Sequence, residues 1–473
     1  VGKVYSISDF KEGLDVRKTA LTAPAGSLRI LDNAWLTPGG EIEKRPAFVK
    51  TTTLPPEATY IFGQGSNLHV FGVGLGAVDP GTTAIPIVTH NLTAPVGGTA
   101  PYKIIDVESY DLGFYVIAVD AAGVTWIWWN GVIVAEVGGS GSRGIYARTY
   151  KTKMYRVDGR YLRFSGVNDP AQNDPANVTN PGAGFINVAT HDPDGEDVKS
   201  LEVFYDKMVV FARLMSQLWT LDPDPTKDSQ VQLLRIGTVA SRSVAQFGTG
   251  DILFLSDSGI RSLKSQTVTT TAAVSDVGSA IDPLMTAIIR TSPAGAGDAK
   301  CVVQPIAGRY WLAIGGAIYV LSYFPAGHIT AWSRFLPGFD VTEFAVVENR
   351  IFCRGHNPDQ GLYLFGGNDN QTYDSCKVTV RTPHHDLENP TTRKQIQSVD
   401  LMCQGQWALS MGMLPNNVDA FEPVATIQDN TFGLQSIPFA GYGTHVGIEL
   451  THEAPGPAVL AAIHLNIREG STK

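Results

Sequence analysis

The sequence is short of charge. Asp, Glu, Lys and Arg make up 17% of its 473 residues, and no run of Lys or Arg occurs along it. Asp and Glu outnumber Lys and Arg by 45 to 36, which leaves a formal net charge of −9. Proteins that grip nucleic acid do so through clustered cations facing phosphates, so tight DNA or RNA binding is disfavoured. Passage of DNA past a non-adhesive acidic wall is not. Cysteine is scarce too: Cys301, Cys353, Cys376 and Cys403 lie far apart, with no CxxC pair. Three of them sit in apolar, strand-like runs, as small buried hydrophobes of a reducing compartment do. No apolar run approaches the roughly 20 residues that span a bilayer. Val1-Gly2-Lys3-Val4-Tyr5 lacks the apolar core of a signal peptide, so synthesis in a cytoplasm without cleaved export is expected.

Catalytic signatures are missing as well. There is no Gly-x-Ser-x-Gly elbow, no P-loop and no dinucleotide-binding glycine pattern. His191-Asp192-Pro193-Asp194-Gly195-Glu196-Asp197 has the composition of a calcium loop, but Pro193 interrupts it and no closing Glu falls at the required spacing. His384-His385-Asp386 groups three potential ligands, yet adjacent strand residues face opposite ways and no second His or Cys pair completes a zinc set. Asp257-Ser258-Gly259 is a fragment of the repeated turn of propeller glycosidases, without its leading Ser or trailing aromatic. No motif presents the two carboxylates that glycoside hydrolysis needs. The expectation is a protein without catalytic residues, cofactor or metal.

What the chain has is punctuation. Its 49 Gly and 28 Pro are spread between short apolar runs, the texture of many strands joined by many turns. Strand–turn–strand units recur at residues 59–71, 114–129, 153–164, 201–221, 252–263, 310–321 and 344–365. Their period of about 40–55 residues is that of propeller blades with loop insertions. Many of the runs exceed strict alternation, as they should where both faces of a sheet are buried. The fold class is therefore all-β: a β-propeller of about seven blades over residues 51–372. An extended N-terminal arm, 1–50, precedes it, with one helical turn expected near Ser27–Asn33. From about Tyr373 a period-2 pattern sets in at Lys377-Val378-Thr379-Val380 and Ile396 to Met402, which predicts a β-sandwich-like domain over 373–473. One short helix is expected at Ser279–Ile289, with Pro283 near its first turn. In Trp126-Ile127-Trp128-Trp129, Trp126 and Trp128 share one face and should pack between blades; Trp129 is the better candidate for an exposed contact.

Three motifs lie in the first fifty residues: Asp9-Phe10-x-x-Gly13-Leu14-Asp15, the step Pro24-x-Gly26, and Asn33-x-Trp35-x-x-Pro38-Gly39-Gly40 with Lys44-Arg45. They resemble the N-termini of the tail nozzle proteins of short-tailed (podovirus) phages, the group of tail tubular protein B and the packaged-DNA stabilisation proteins. The length, blade order and β-rich C-terminal region are also similar to the stabilisation branch. The resemblance implies a virion structural protein made in the host cytoplasm and built into a short non-contractile tail. It implies a homo-oligomeric ring, typically a hexamer, below the portal and the head-to-tail adaptor proteins. Such a ring lines the DNA exit channel, retains packaged DNA without gripping it, and anchors tail fibres, spikes or a plug. No catalytic residue accompanies the family. Phe10, Leu14, Trp35 and Trp129 are the candidate assembly contacts, and the arm is expected to serve assembly more than folding. The competing reading is a carbohydrate-binding or glycan-cleaving propeller that acts as a phage receptor-binding protein.

Overall fold

The chain is described by a computed structural model that covers residues 2–134, 144–191, 195–248, 250–265, 272–429, 431 and 436–469. Tight hairpins are its basic unit, and turn residues supply the backbone those hairpins need. Gly315 and Gly316 have φ of +60° and +76° between strands Arg309–Ile314 and Ala317–Phe324. Glu348 and Asn349 take the same left-handed conformation, at +49° and +64°, between Asp340–Val347 and Arg350–His356. Positive φ at both central residues gives the turn whose twist matches paired strands.

The hairpins assemble into seven blades, whose first strands are Ala58–Gln64, Lys103–Tyr110, Ala147–Tyr150, Ser200–Phe204, Ala245–Phe247, Lys300–Gln304 and Asp340–Val347. Each first strand packs against the next, and the seventh packs against the first, so the ring is closed. The long apolar runs follow from that closure. In the second strand of blade two, Gly113–Val119, Phe114, Val116 and Ala118 join a cluster with Tyr60, Phe71 and Leu92 of blade one. Tyr115 and Ile117 of the same strand face the other way, onto Ala147 and Met154 of blade three. Both faces are buried, so no polar alternation is required.

The seventh blade takes its outer strand from the other end of the chain: Phe48–Thr53 pairs antiparallel with Gly361–Phe365. The N-terminal segment is therefore not a free arm. It also feeds both sheets of a C-terminal β-sandwich. One sheet runs Ile437–Gly443, Lys394–Gln404, Val459–Glu469, Ile42–Lys44 and Ala34–Leu36, with Lys3–Ile7 pairing on Val459–Glu469. The other runs Ile30–Asp32, Val378–Arg381, Gly447–His452, Trp407–Gly412 and Glu422–Ile427. Through Asp32, paired with Arg334, this second sheet continues onto the last strand of blade six.

The helical turn expected near Ser27–Asn33 is absent. Ser27–Leu28 and Ile30–Asp32 are short strands instead, because Leu28 and Leu31 are fully buried against partners distant in sequence. Two motif glycines sit where another segment passes too close for a side chain. A Cβ on Gly13 would lie 2.7 Å from Ala331 Cβ and 2.9 Å from Trp332 O; one on Gly26 would lie 2.5 Å from Asp9 O. Both also have positive φ, so glycine is required twice over. The helix expected at Ser279–Ile289 forms: a 3-10 turn at Ser279–Ile281 leads into Asp282–Thr291, with Pro283 in the first turn and Met285 and Ile289 buried.

The N-terminal segment buries Phe10, Leu28, Leu31, Leu36 and Ile42 completely. Burial of each such side chain stabilises the fold by about 1.5–3 kcal/mol. Deletion of residues 1–53 should therefore abolish the cooperative thermal transition followed by circular dichroism. A truncated chain that still melts sharply would show that the propeller closes without its N-terminal strand.

Candidate functional site: the propeller channel

The first strands of the blades surround the axis, so a charge on one of them that points inward has no solvent behind it. Its burial is costly unless it finds a partner across the channel. Arg242, on the 3-10 turn Ser241–Ser243 ahead of blade five, does so on three sides. Its guanidinium bonds both carboxylate oxygens of Glu343 in blade seven, at 2.7 and 3.0 Å. It also donates to the Ile105 carbonyl of blade two at 2.9 Å and lies 4.7 Å from the ring centre of Tyr60 in blade one. Burial alone would lower the pKa of Arg242, but Glu343, with Tyr60, Asp106 and Tyr146 acting in the same direction, reverses this and leaves it raised. One side chain thus ties four blades together.

A second cluster lies on blades two to four. Arg148 reaches Glu108 at 3.4 Å and Glu202 at 3.5 Å, and it also contacts the Tyr146 hydroxyl. Asp106 accepts the Ala147 N–H at 2.8 Å, and Glu108 accepts the Thr149 N–H at 2.9 Å. Burial pushes the Glu108 carboxyl up to about 7, against the pull of Arg148. The second cluster pairs one guanidinium with two carboxylates, and backbone N–H groups take up the remaining acceptor capacity.

Two cavities lie along the axis. The wider, about 570 Å³, opens at the starts of the first strands and is lined by Lys103, Ile105, Lys300, Glu343 and Arg354 among others. The narrower, about 320 Å³, lies further along those strands, at Ile61, Asp106, Glu108, Arg148 and Phe344. Arg242 lines both, and its partner Glu343 lines the wider one.

Three of the four candidate assembly contacts lie inside the chain. Phe10 and Leu14 are 0% and 3% exposed in the main core, against blade six and the sandwich. Trp35 is 7% exposed, edge-on to Trp311, with the Arg309 guanidinium 3.6 Å from its ring centre. These side chains are covered before any second subunit arrives, which corrects their reading as assembly contacts. Trp129 is half-buried, edge-on to Tyr110 with ring centres 5.8 Å apart. Trp126 and Trp128 pack between blades one and two, and their indole N–H groups bond Asp120 and the Thr93 carbonyl.

His384 and His385 are buried, and burial lowers both pKa values, His385 to about 4. Among the described residues no cluster of three His, Cys, Asp or Glu side chains is placed to hold a metal ion. Asp192, Pro193 and Asp194 of the calcium-like stretch lie outside the described residues. Asp257 receives two hydrogen bonds from Arg213, at 3.0 and 3.1 Å. Sequence reading missed the channel residues Arg148, Glu202, Arg242 and Glu343. The available signal was a single charge set into or beside an otherwise apolar first strand, as in Ser200–Phe204.

No family model and no curated protein matches the chain. Among solved structures it is similar to a chain of the mitotic checkpoint complex, at 11% identity and a TM-score of 0.37, over 76% of this chain and 93% of that one. It is similar to the computationally designed Ika8 protein, at 10% identity and a TM-score of 0.38, over 68% of this chain and 99% of that one. It is also similar to PorZ of Porphyromonas gingivalis, described as an essential bacterial surface component of the type-IX secretion system. That match has 11% identity and a TM-score of 0.37, and covers 84% of this chain but 53% of PorZ. Likeness at this level carries no functional argument.

Glu343→Gln leaves the buried Arg242 without its counter-charge and should cost about 3 kcal/mol in urea unfolding. Glu108 gives a pH signature. The folded chain holds this proton up to about pH 7, while an unperturbed Glu releases it near 4.5. Between those values the folded state binds more protons, so the contribution of Glu108 is fully present below the lower value and is lost as pH rises through the upper one. Glu108→Gln should therefore gain stability relative to the parent chain across this window and hold a constant difference above it. Parallel pH dependences for the two proteins would overturn the assignment.

Proposed function

We propose that this chain is a virion structural protein, one subunit of a tail nozzle ring below the portal and head-to-tail adaptor of a short-tailed phage. The observation that carries this reading is where the motif-bearing residues act. Asn33 accepts from Arg45 Nε at 3.0 Å and from the Leu336 N–H at 2.9 Å, and donates to the Lys377 carbonyl at 2.7 Å. Its neighbour Asp32 pairs with Arg334 through two bonds of 2.7 and 2.8 Å. Lys44 donates to the carbonyls of Asp374 and Ala454 at 2.6 and 2.8 Å. The motif is thus the joint that fastens propeller to sandwich, and a subunit that retains a packed genome needs such a joint.

The channel chemistry supports the same reading. With Arg242 and Glu343 bridging the propeller axis, DNA would not thread a single propeller; the conduit would lie between copies of the chain. The net charge of −9 suits a wall that does not hold phosphates. With Phe10, Leu14 and Trp35 internal, contacts to other copies, to the adaptor and to fibres, spikes or a plug would come from surface loops.

Electron microscopy of the full chain mixed with portal–adaptor particles should show a closed ring of copies, and virions should contain the protein. Absence from both would end the proposal. On a glycan array the chain should be silent. A signal lost on Trp129→Ala would favour the carbohydrate-binding reading instead.

A further inference from the structure

We propose that the wider mouth of the propeller channel binds a small organic anion, one that carries carboxylate or phosphate groups on a partly apolar body. The inference rests on the propeller alone and is independent of the ring.

The mouth concentrates positive charge in a chain whose net charge is −9. Its lining includes four basic side chains, Lys103, Arg242, Lys300 and Arg354, against two carboxylates, Asp298 and Glu343. Glu343 is committed to Arg242 by the bidentate pair. Arg354 is 7% exposed, yet its guanidinium meets only neutral acceptors: the Ala58 carbonyl, Thr342 Oγ1 and Gln360 Oε1, each at 2.7 Å. Lys300 begins the first strand of blade six and has no ion pair or hydrogen bond from its ammonium group among the described residues. Burial lowers the pKa of both groups; for Lys300 the neighbouring Arg242 charge adds to this, and Glu343, joined at Lys300 by Asp298, opposes the shift without reversing it. The carboxylates of the mouth offset this desolvation only in part, and an arriving counter-charge would offset more of it.

The cavity has room for that counter-charge and for more. Its 570 Å³ lies within the range of small-molecule sites, and Ile104, Ile105, Ile145 and Val341 give it apolar walls. A bare inorganic ion would leave those walls uncovered. An anion with an apolar body would meet both the cations and the isoleucines.

The test uses isothermal titration calorimetry on the full chain with three probes: phenyl phosphate, phthalate and polyglutamate. Phenyl phosphate and phthalate separate the phosphate and carboxylate sources of the same chemistry. At least one of the two should bind at millimolar concentration or below, and salt should weaken the binding. Lys300→Met should reduce affinity roughly tenfold or more, as expected for loss of a charge-assisted contact. Its melting temperature without ligand should be equal or higher, because an unpaired ammonium is replaced by an apolar group. Lys103→Ala, at an exposed position, should weaken binding in the same direction without bearing on folding. Lys227→Ala, on a distant exposed turn, should change nothing. The proposal is overturned if neither small anion binds, if Lys300→Met and Lys103→Ala both bind as the parent does, or if polyglutamate alone binds, which would point to a protein segment.

Discussion

A propeller blade with apolar side chains on both faces cannot bury them by itself, and the rest of this structure depends on that constraint. Alternate residues of Gly113–Val119 serve two different interfaces, so blade two requires both blade one and blade three. The same dependence passes round the ring until the last blade must meet the first. There the chain uses Phe48–Thr53 as the outer strand of blade seven, so that residues more than 300 positions apart in sequence hold the ring shut through strand pairing.

Once the N-terminal segment has that task, its other contacts follow. It leaves blade seven and must cross the gap to the C-terminal sheets, where buried backbone groups need partners. Residues 30–44 meet the need by becoming strands of both sheets, and Asn33, Lys44 and Arg45 spend their polar atoms on carbonyls and amides of distant segments. Gly13 and Gly26 sit where two backbones meet with no room for a side chain. A motif that reads as a recognition sequence is, in its geometry, a set of packing and hydrogen-bonding requirements.

The channel is governed by the opposite physics. Apolar contact holds neighbouring blades together, but the first strands surround a space that side chains leave partly open, with cavities of about 570 and 320 Å³. Arg242 and Arg148 reach into it, each spanning several blades and each carrying its own counter-charges. Such networks contribute little net stability compared with an apolar core, but removing one partner from them is costly. At the wider mouth the balance is incomplete, and there the cations outnumber the carboxylates.

The amino-acid sequence alone determined the all-β class and the hairpin positions, because these depend on local turn chemistry and on apolar runs of strand length; the closed ring of seven blades is a tertiary result. The sequence also located the helix at Ser279, where proline and apolar spacing agree. Tertiary structure decided the rest. That Ser27–Leu28 and Ile30–Asp32 are strands, that Phe10, Leu14 and Trp35 are internal, and that strand Phe48–Thr53 belongs to the last blade all depend on partners hundreds of residues away. The channel residues were illegible for the same reason. A lone Arg or Glu in an apolar strand looks like a surface charge until ring closure turns it toward the axis and supplies, from another blade, a group that neutralises it.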